Sequence, residues 1–180
     1  MTSPPAHPEF SHRVSVERIP LSGADHQLEA GEDARRRLAG RFGLESIGSL
    51  RADLVVRREG AAVVAEGMVE ADVVQTCVVS GEPVAAQVRE PVRLRFVAPG
   101  PIAPDAEIEL DFNALDECGI EEGMIDLGEA VAQTLALALD PFPRAAADVL
   151  AAARARLMSE EEAARLAEAA SPFARLKTPG

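Results

Sequence analysis

VAAQVREPVRLRFV, from Val84 to Val97, alternates more strictly than any other stretch of the chain. Even positions Val84, Ala86, Val88, Val92, Leu94 and Phe96 are apolar, broken only by Glu90. Odd positions include Gln87, Arg89, Arg93 and Arg95. A period of two puts these sets on opposite faces of a β-strand. One face is for a core and the other for water, the habit of antiparallel sheets. Pro91 has no N–H to give to a ladder, so its place is an edge strand or a bulge.

The neighbouring segments extend this reading. SGEP (80–83) is turn chemistry, and AAVVAEGMVEADVVQTCVV (61–79) before it reads as one or two extended segments. In LRADLVVR (50–57), Leu50, Ala52, Leu54 and Val56 face one way, and Arg51, Asp53, Val55 and Arg57 the other. FSHRVSVERI (10–19) is a short strand ended by Pro20. ADHQLEAGEDARRRLAGRFG (24–43) reads as a helix, with Asp25 as N-cap, acids early, arginines late and Gly43 past the end. EIELDF (107–112) adds a strand. MIDLGEAVAQTLALALDPFPR (124–144) is a strong helix. Asp126 with Glu129 makes a capping box there, Leu127, Val131, Leu135 and Ala138 form its stripe, Leu137 and Leu139 widen it, and Pro141 stops it. Residues 145–170 are rich in Ala, Arg and Glu, with high helix propensity and a weak stripe.

These elements predict an α+β fold: an antiparallel β-sheet, barrel-like if its edges meet, packed by one or two helices, with a helical C-terminal tail. The expected organisation is a loose N-terminus over 1–9, a single domain over 10–143 and a tail over 144–180.

The core must be made of Val, Leu, Ala and a few Phe, because the chain has no Trp and no Tyr. A formal net charge of -12 disfavours DNA and anionic membranes. The sequence has no basic segment followed by an apolar run at its start and no apolar stretch of spanning length, so a reduced cytoplasm is expected. The charge is segregated. Seven arginines lie from Arg35 to Arg58 against Glu45 and Asp53, whereas eleven acids and no base lie between Phe96 and Pro143. This suggests a bipolar surface, with arginines for RNA phosphates and acids for a basic protein. The competing reading is a solvated face whose charges pair among themselves. The dearth of aromatics argues against base stacking.

Cys77 precedes the turn, but Ser80 stands where Cys-x-x-Cys would place a second thiol. Structural zinc takes about four converging Cys or His ligands. Cys118 is remote in sequence, and His7, His12 and His26 all lie near the N-terminus. A strand thiol packed under the hairpin is the expectation, with no metal and no cofactor. The chain has no nucleophile elbow, Walker A motif or dinucleotide fingerprint, so no catalytic residue is expected.

EFSHRVSVERIP (9–20), RRRLAGRFGL (35–44), QTCVVSGEPV (75–84), DLGEAVAQTLALALDPFPR (126–144) and SPFARLK (171–177), in this order, resemble the YceD family of large ribosomal RNA subunit accumulation proteins. The resemblance implies a bacterial, cytoplasmic, non-enzymatic accessory factor for 23S rRNA accumulation and large ribosomal subunit assembly. Many members carry Cys-x-x-Cys at the hairpin, which this chain does not. The expected partners are the pre-ribosomal large-subunit particle or 23S rRNA, and a basic ribosomal protein. Arg51, Arg57, Arg89, Arg93 and Arg95 are the candidate RNA contacts. Asp105, Glu107, Glu109, Asp116, Glu117, Glu121 and Glu122 are the candidate acidic surface. The alternative is an acidic adaptor that binds a basic protein or a processing enzyme and not RNA.

Overall fold

The computed structural model describes residues 8–98 and 116–155. Its element order is β1 (Arg13–Ser15), a 3-10 turn (Val16–Arg18), β2 (Ala24–Glu29), α1 (Glu32–Phe42), β3 (Ser46–Glu59), β4 (Ala62–Thr76), β5 (Pro83–Val97), β6 (Asp116–Gly119), β7 (Met124–Asp126), α2 (Leu127–Ala138) and α3 (Ala147–Ala155). The main sheet is five-stranded and open, in the order β2-β3-β4-β5-β6. All its pairings are antiparallel except β5 with β6, which is parallel. β1 and β7 form a separate two-stranded ribbon.

Parity decides what is buried. Leu50, Ala52, Leu54 and Val56 of β3 share one face with Val63, Ala65, Val69, Ala71 and Val73 of β4 and with Val92, Leu94 and Phe96 of β5. Leu38 and Ala39 of α1 and Leu127, Val131 and Leu135 of α2 join the same core. Both helices therefore pack on one side, and the opposite face of the sheet carries the charged residues. Pro91 sits where β4 is the only described neighbour of β5, because β6 begins its pairing at Leu94. The edge position is the one its missing N–H requires, and the β4–β5 register runs through it without a bulge.

Three sequence readings need correction. Residues 24–29 are a strand, and the helix starts at Glu32. Asp25 is thus no N-cap; Gly31 holds that position. Ala24, His26 and Leu28 alternate with Asp25, Gln27 and Glu29, and pairing with β3 buries Leu28. The capping box is only half formed. The Asp126 carboxylate accepts from the N–H groups of Gly128 and Glu129 at 3.0 and 3.2 Å, but the Glu129 carboxylate turns away to Arg41. Leu137 does not widen the buried stripe, since it is 83% exposed. The proposed strand over 107–112 and the tail beyond residue 155 lie outside the described residues.

The N-terminal segment clasps the start of α2. Asp126 also accepts from the Ser11 hydroxyl and the His12 N–H, at 2.5 and 2.8 Å. Gly128 allows this approach, because a Cβ there would stand 2.8 Å from the Phe10 carbonyl oxygen and the His12 nitrogen. Glu9 reaches Arg41 at 3.0 Å.

Candidate functional site: the arginine-carboxylate face

The outer face of the sheet is laid out in cross-strand rows. One row is Glu29–Arg51–Glu70–Arg89, a second is Asp53–Met68–Pro91, a third is Val55–Glu66–Arg93, and a fourth is Arg57–Val64–Arg95–Glu117. The side chains of one row point the same way and lie close enough to interact. The five candidate arginines, from two strands, are thereby brought onto a single face.

Each of them meets a carboxylate. Arg51 reaches Glu29 at 3.1 Å, Arg89 reaches Glu70 at 3.3 Å, and Arg95 approaches Glu117 at 4.0 Å. Arg57 bonds both Glu59 and Glu66, at 3.0 and 2.6 Å, and Arg93 bonds the other oxygen of Glu66 at 3.1 Å. The guanidinium groups of Arg57 first and Arg93 second hold the Glu66 carboxyl below the usual carboxylate range. Hydrogen bonds from Ser49 and Gln87 do the same for Asp72.

The arginines are not equally available. The side chains of Arg89, Arg93 and Arg51 are 74%, 68% and 63% exposed, whereas that of Arg57 is 32% exposed and held twice. Exposed ion pairs of this kind contribute about 0–1 kcal/mol, so a phosphate can compete for the first three at little cost. The Arg95 side chain is 43% exposed, but its Nε is buried without a hydrogen-bond partner.

The acidic candidates divide. Asp105, Glu107 and Glu109 lie outside the described residues. Asp116 is on β6 in register with Leu94, and Glu117 beside it belongs to the arginine face. Glu121 and Glu122 are exposed in the turn before β7. The sequence reading missed Glu66 and Glu70 as the partners of the arginines. Their outward parity in β4 was the available signal, but strand register was needed to align them.

Cys77 lies just past β4, buried, at the start of the turn. Its sulfur accepts from the N–H groups of Ser80 and Ala145 at 3.4 and 3.3 Å. The Ser80 hydroxyl above all, then these N–H groups, bring the thiol down to about 6. Among the described residues no group of three or more His, Cys, Asp or Glu is placed to hold a metal ion, and no helix is long and apolar enough to cross a membrane.

A family model described as "Large ribosomal RNA subunit accumulation protein YceD" matches residues 65–178. No curated protein and no solved structure matches the chain.

Proposed function

Because the chain belongs to the YceD family, whose name ties it to accumulation of the large-subunit ribosomal RNA, we propose that it acts in the cytoplasm as a non-enzymatic accessory factor for 23S rRNA accumulation and large-subunit assembly. It works by binding. The outer sheet face docks on the pre-ribosomal particle, with Arg51, Arg89 and Arg93 exchanging their carboxylates for RNA phosphates and Arg57 and Arg95 in support. The observation that carries this reading is the gathering of five arginines on the sheet face that neither α1 nor α2 covers.

The test is co-sedimentation with large-subunit precursors across a salt series. Replacing Arg51, Arg89 and Arg93 by serine should weaken association. The salt slope should fall by about one for each phosphate that an arginine no longer neutralises. Unchanged association and slope overturn the RNA contact.

The alternative, an acidic adaptor that recognises a basic protein, draws on a different observation. The arginines already face carboxylates in every case, so the face is close to neutral. In-cell crosslinking separates the two readings. Abundant RNA crosslinks at β3 and β5 rule out the adaptor, and crosslinks to protein alone rule out the RNA face.

A further inference from the structure

The charges of the arginine face are sorted by strand. On the outer side the central strand β4 carries Glu66 and Glu70, with Asp72 beyond them. β3 carries Arg51 and Arg57 on one flank, and β5 carries Arg89, Arg93 and Arg95 on the other. Between Arg51 and Arg57, and between Arg89 and Arg95, Asp53 is the only acid on that side. Neighbouring strands lie about 4.8 Å apart, so the two arginine columns stand about 10 Å from each other. Arg51 and Arg57 are three rows apart, about 20 Å along the strand. Two cationic lines thus run beside an anionic one.

This layout suits a double helix better than a single strand. Proteins hold single strands largely by stacking bases on aromatic rings. Among the described residues no aromatic side chain stands on this face, and Phe96 of β5 is buried on the other. A duplex instead presents two lines of phosphates with a groove between them. In A-form RNA the wide, shallow minor groove displays 2′-hydroxyls. Cationic lines match the phosphates, and the anionic line meets hydroxyl donors.

The central carboxylates decide which duplex is accepted. Among the described residues Arg89 is the only ion-pair partner of the exposed Glu70. When Arg89 turns to a phosphate, Glu70 is left as a charged acceptor without its donor, which is costly. A 2′-hydroxyl can donate to it; deoxyribose has none to give. Glu66 is less affected, because Arg57 still holds it when Arg93 leaves.

We infer that the outer face recognises double-stranded RNA by shape. Arg51 on one flank and Arg89 and Arg93 on the other hold phosphates of the two strands, and Glu70 between them accepts from a 2′-hydroxyl. Glu70 is thereby the residue that tells RNA from DNA. This rests on the RNA reading proposed above for the same face, and names the class of RNA it takes. A single strand has no second line of phosphates to offer.

The experiment uses the full chain, a short RNA duplex of mixed sequence, the DNA duplex of the same sequence and length, and one RNA strand alone. Affinities are measured by titration at one low salt concentration. The RNA duplex should bind tightest, by about tenfold or more over the DNA duplex, as one hydrogen bond to a charged group allows. Glu70→Ala should erase most of that preference, chiefly by raising the affinity for DNA. Glu32→Ala, on α1 and away from this face, should leave it unchanged. The inference is overturned if the single strand or the DNA duplex binds as tightly as the RNA duplex, or if Glu70→Ala leaves their ratio unaltered. Binding of polylysine but of no nucleic acid gives the face to a basic protein and overturns it as well. Failure of the RNA reading is told apart by the particle. If the duplex fails but association still needs Arg51, Arg89 and Arg93, the duplex inference alone is lost; if both fail, the RNA contact goes with it.

Discussion

Cys77 shows how one side chain is given its role by its surroundings. Its sulfur takes the N–H of Ser80 three residues on, while its carbonyl accepts from the Gly81 N–H at 3.0 Å. The thiol thus caps a single tight turn. The same sulfur accepts from Ala145, the Val78 N–H bonds the Pro143 carbonyl at 3.0 Å, and the Gln75 amide bonds the Asp140 carbonyl at 2.9 Å. The hairpin is thereby stapled to the segment that leaves α2. Ser80 supplies the hydroxyl that favours the thiolate. Ultraviolet absorbance of the Cys118→Ser variant should show Cys77 titrating near 6; a midpoint above about 8, in the ordinary thiol range, rejects the capping account. The sign of the linkage follows from a lowered folded value. The contribution to stability is full above the unfolded thiol value of about 8.5 and is lost as pH falls through the folded one. Cys77→Ala should flatten that part of the stability profile.

Among the elements, the helix ends are coupled. Arg41 in the last turn of α1 grips Glu129 in the first turn of α2 at 2.9 and 2.8 Å, and both charges sit at the helix termini that favour them. Hydrogen bonding from Arg41 first, against partial burial, lowers the Glu129 carboxyl. A lowered carboxylate stabilises above its unfolded value and ceases to do so as pH falls through its folded one. Glu129→Gln should cost about 1 kcal/mol near neutrality, discounted for solvent screening. Denaturant unfolding should find the difference constant above the ordinary glutamate value of about 4.3 and shrinking as pH falls below it. The β3–β4 ladder has its own narrow point. A Cβ on Gly67 would run into the Asp53 carbonyl and the Leu54 Cα, so Gly67→Ala has to push two central strands apart. A destabilisation above about 4 kcal/mol, or failure to fold, is expected; a melting point near that of the wild type would show that the strands are not so close.

Among the described residues, the main sheet has α1 and α2 on one side and charge on the other. That division predicts its exchange behaviour. Amides of β3 and β4, each paired on both sides, should exchange slowest. Faster exchange in β3 or β4 than in the rest of the chain would overturn this.

Sequence and structure divide the explanation by range. Period-two alternation is enough to read β3 and β5 with their buried faces, and Asp126 with its following apolar stripe is enough to place α2, because these are local regularities of backbone geometry. The stretch 24–29 does not read as a strand, since six residues with acids and one leucine look as helical as extended until β3 lies beside them. Glu66 and Glu70 are visible as outward residues, but their pairing with Arg93 and Arg89 needs the β4–β5 register. What a short window of sequence determines is which side of an element is apolar. Which arginine meets which carboxylate and which thiol is held as a cap are long-range facts. They are set by strand register and helix docking, where residues far apart in the chain share one energy.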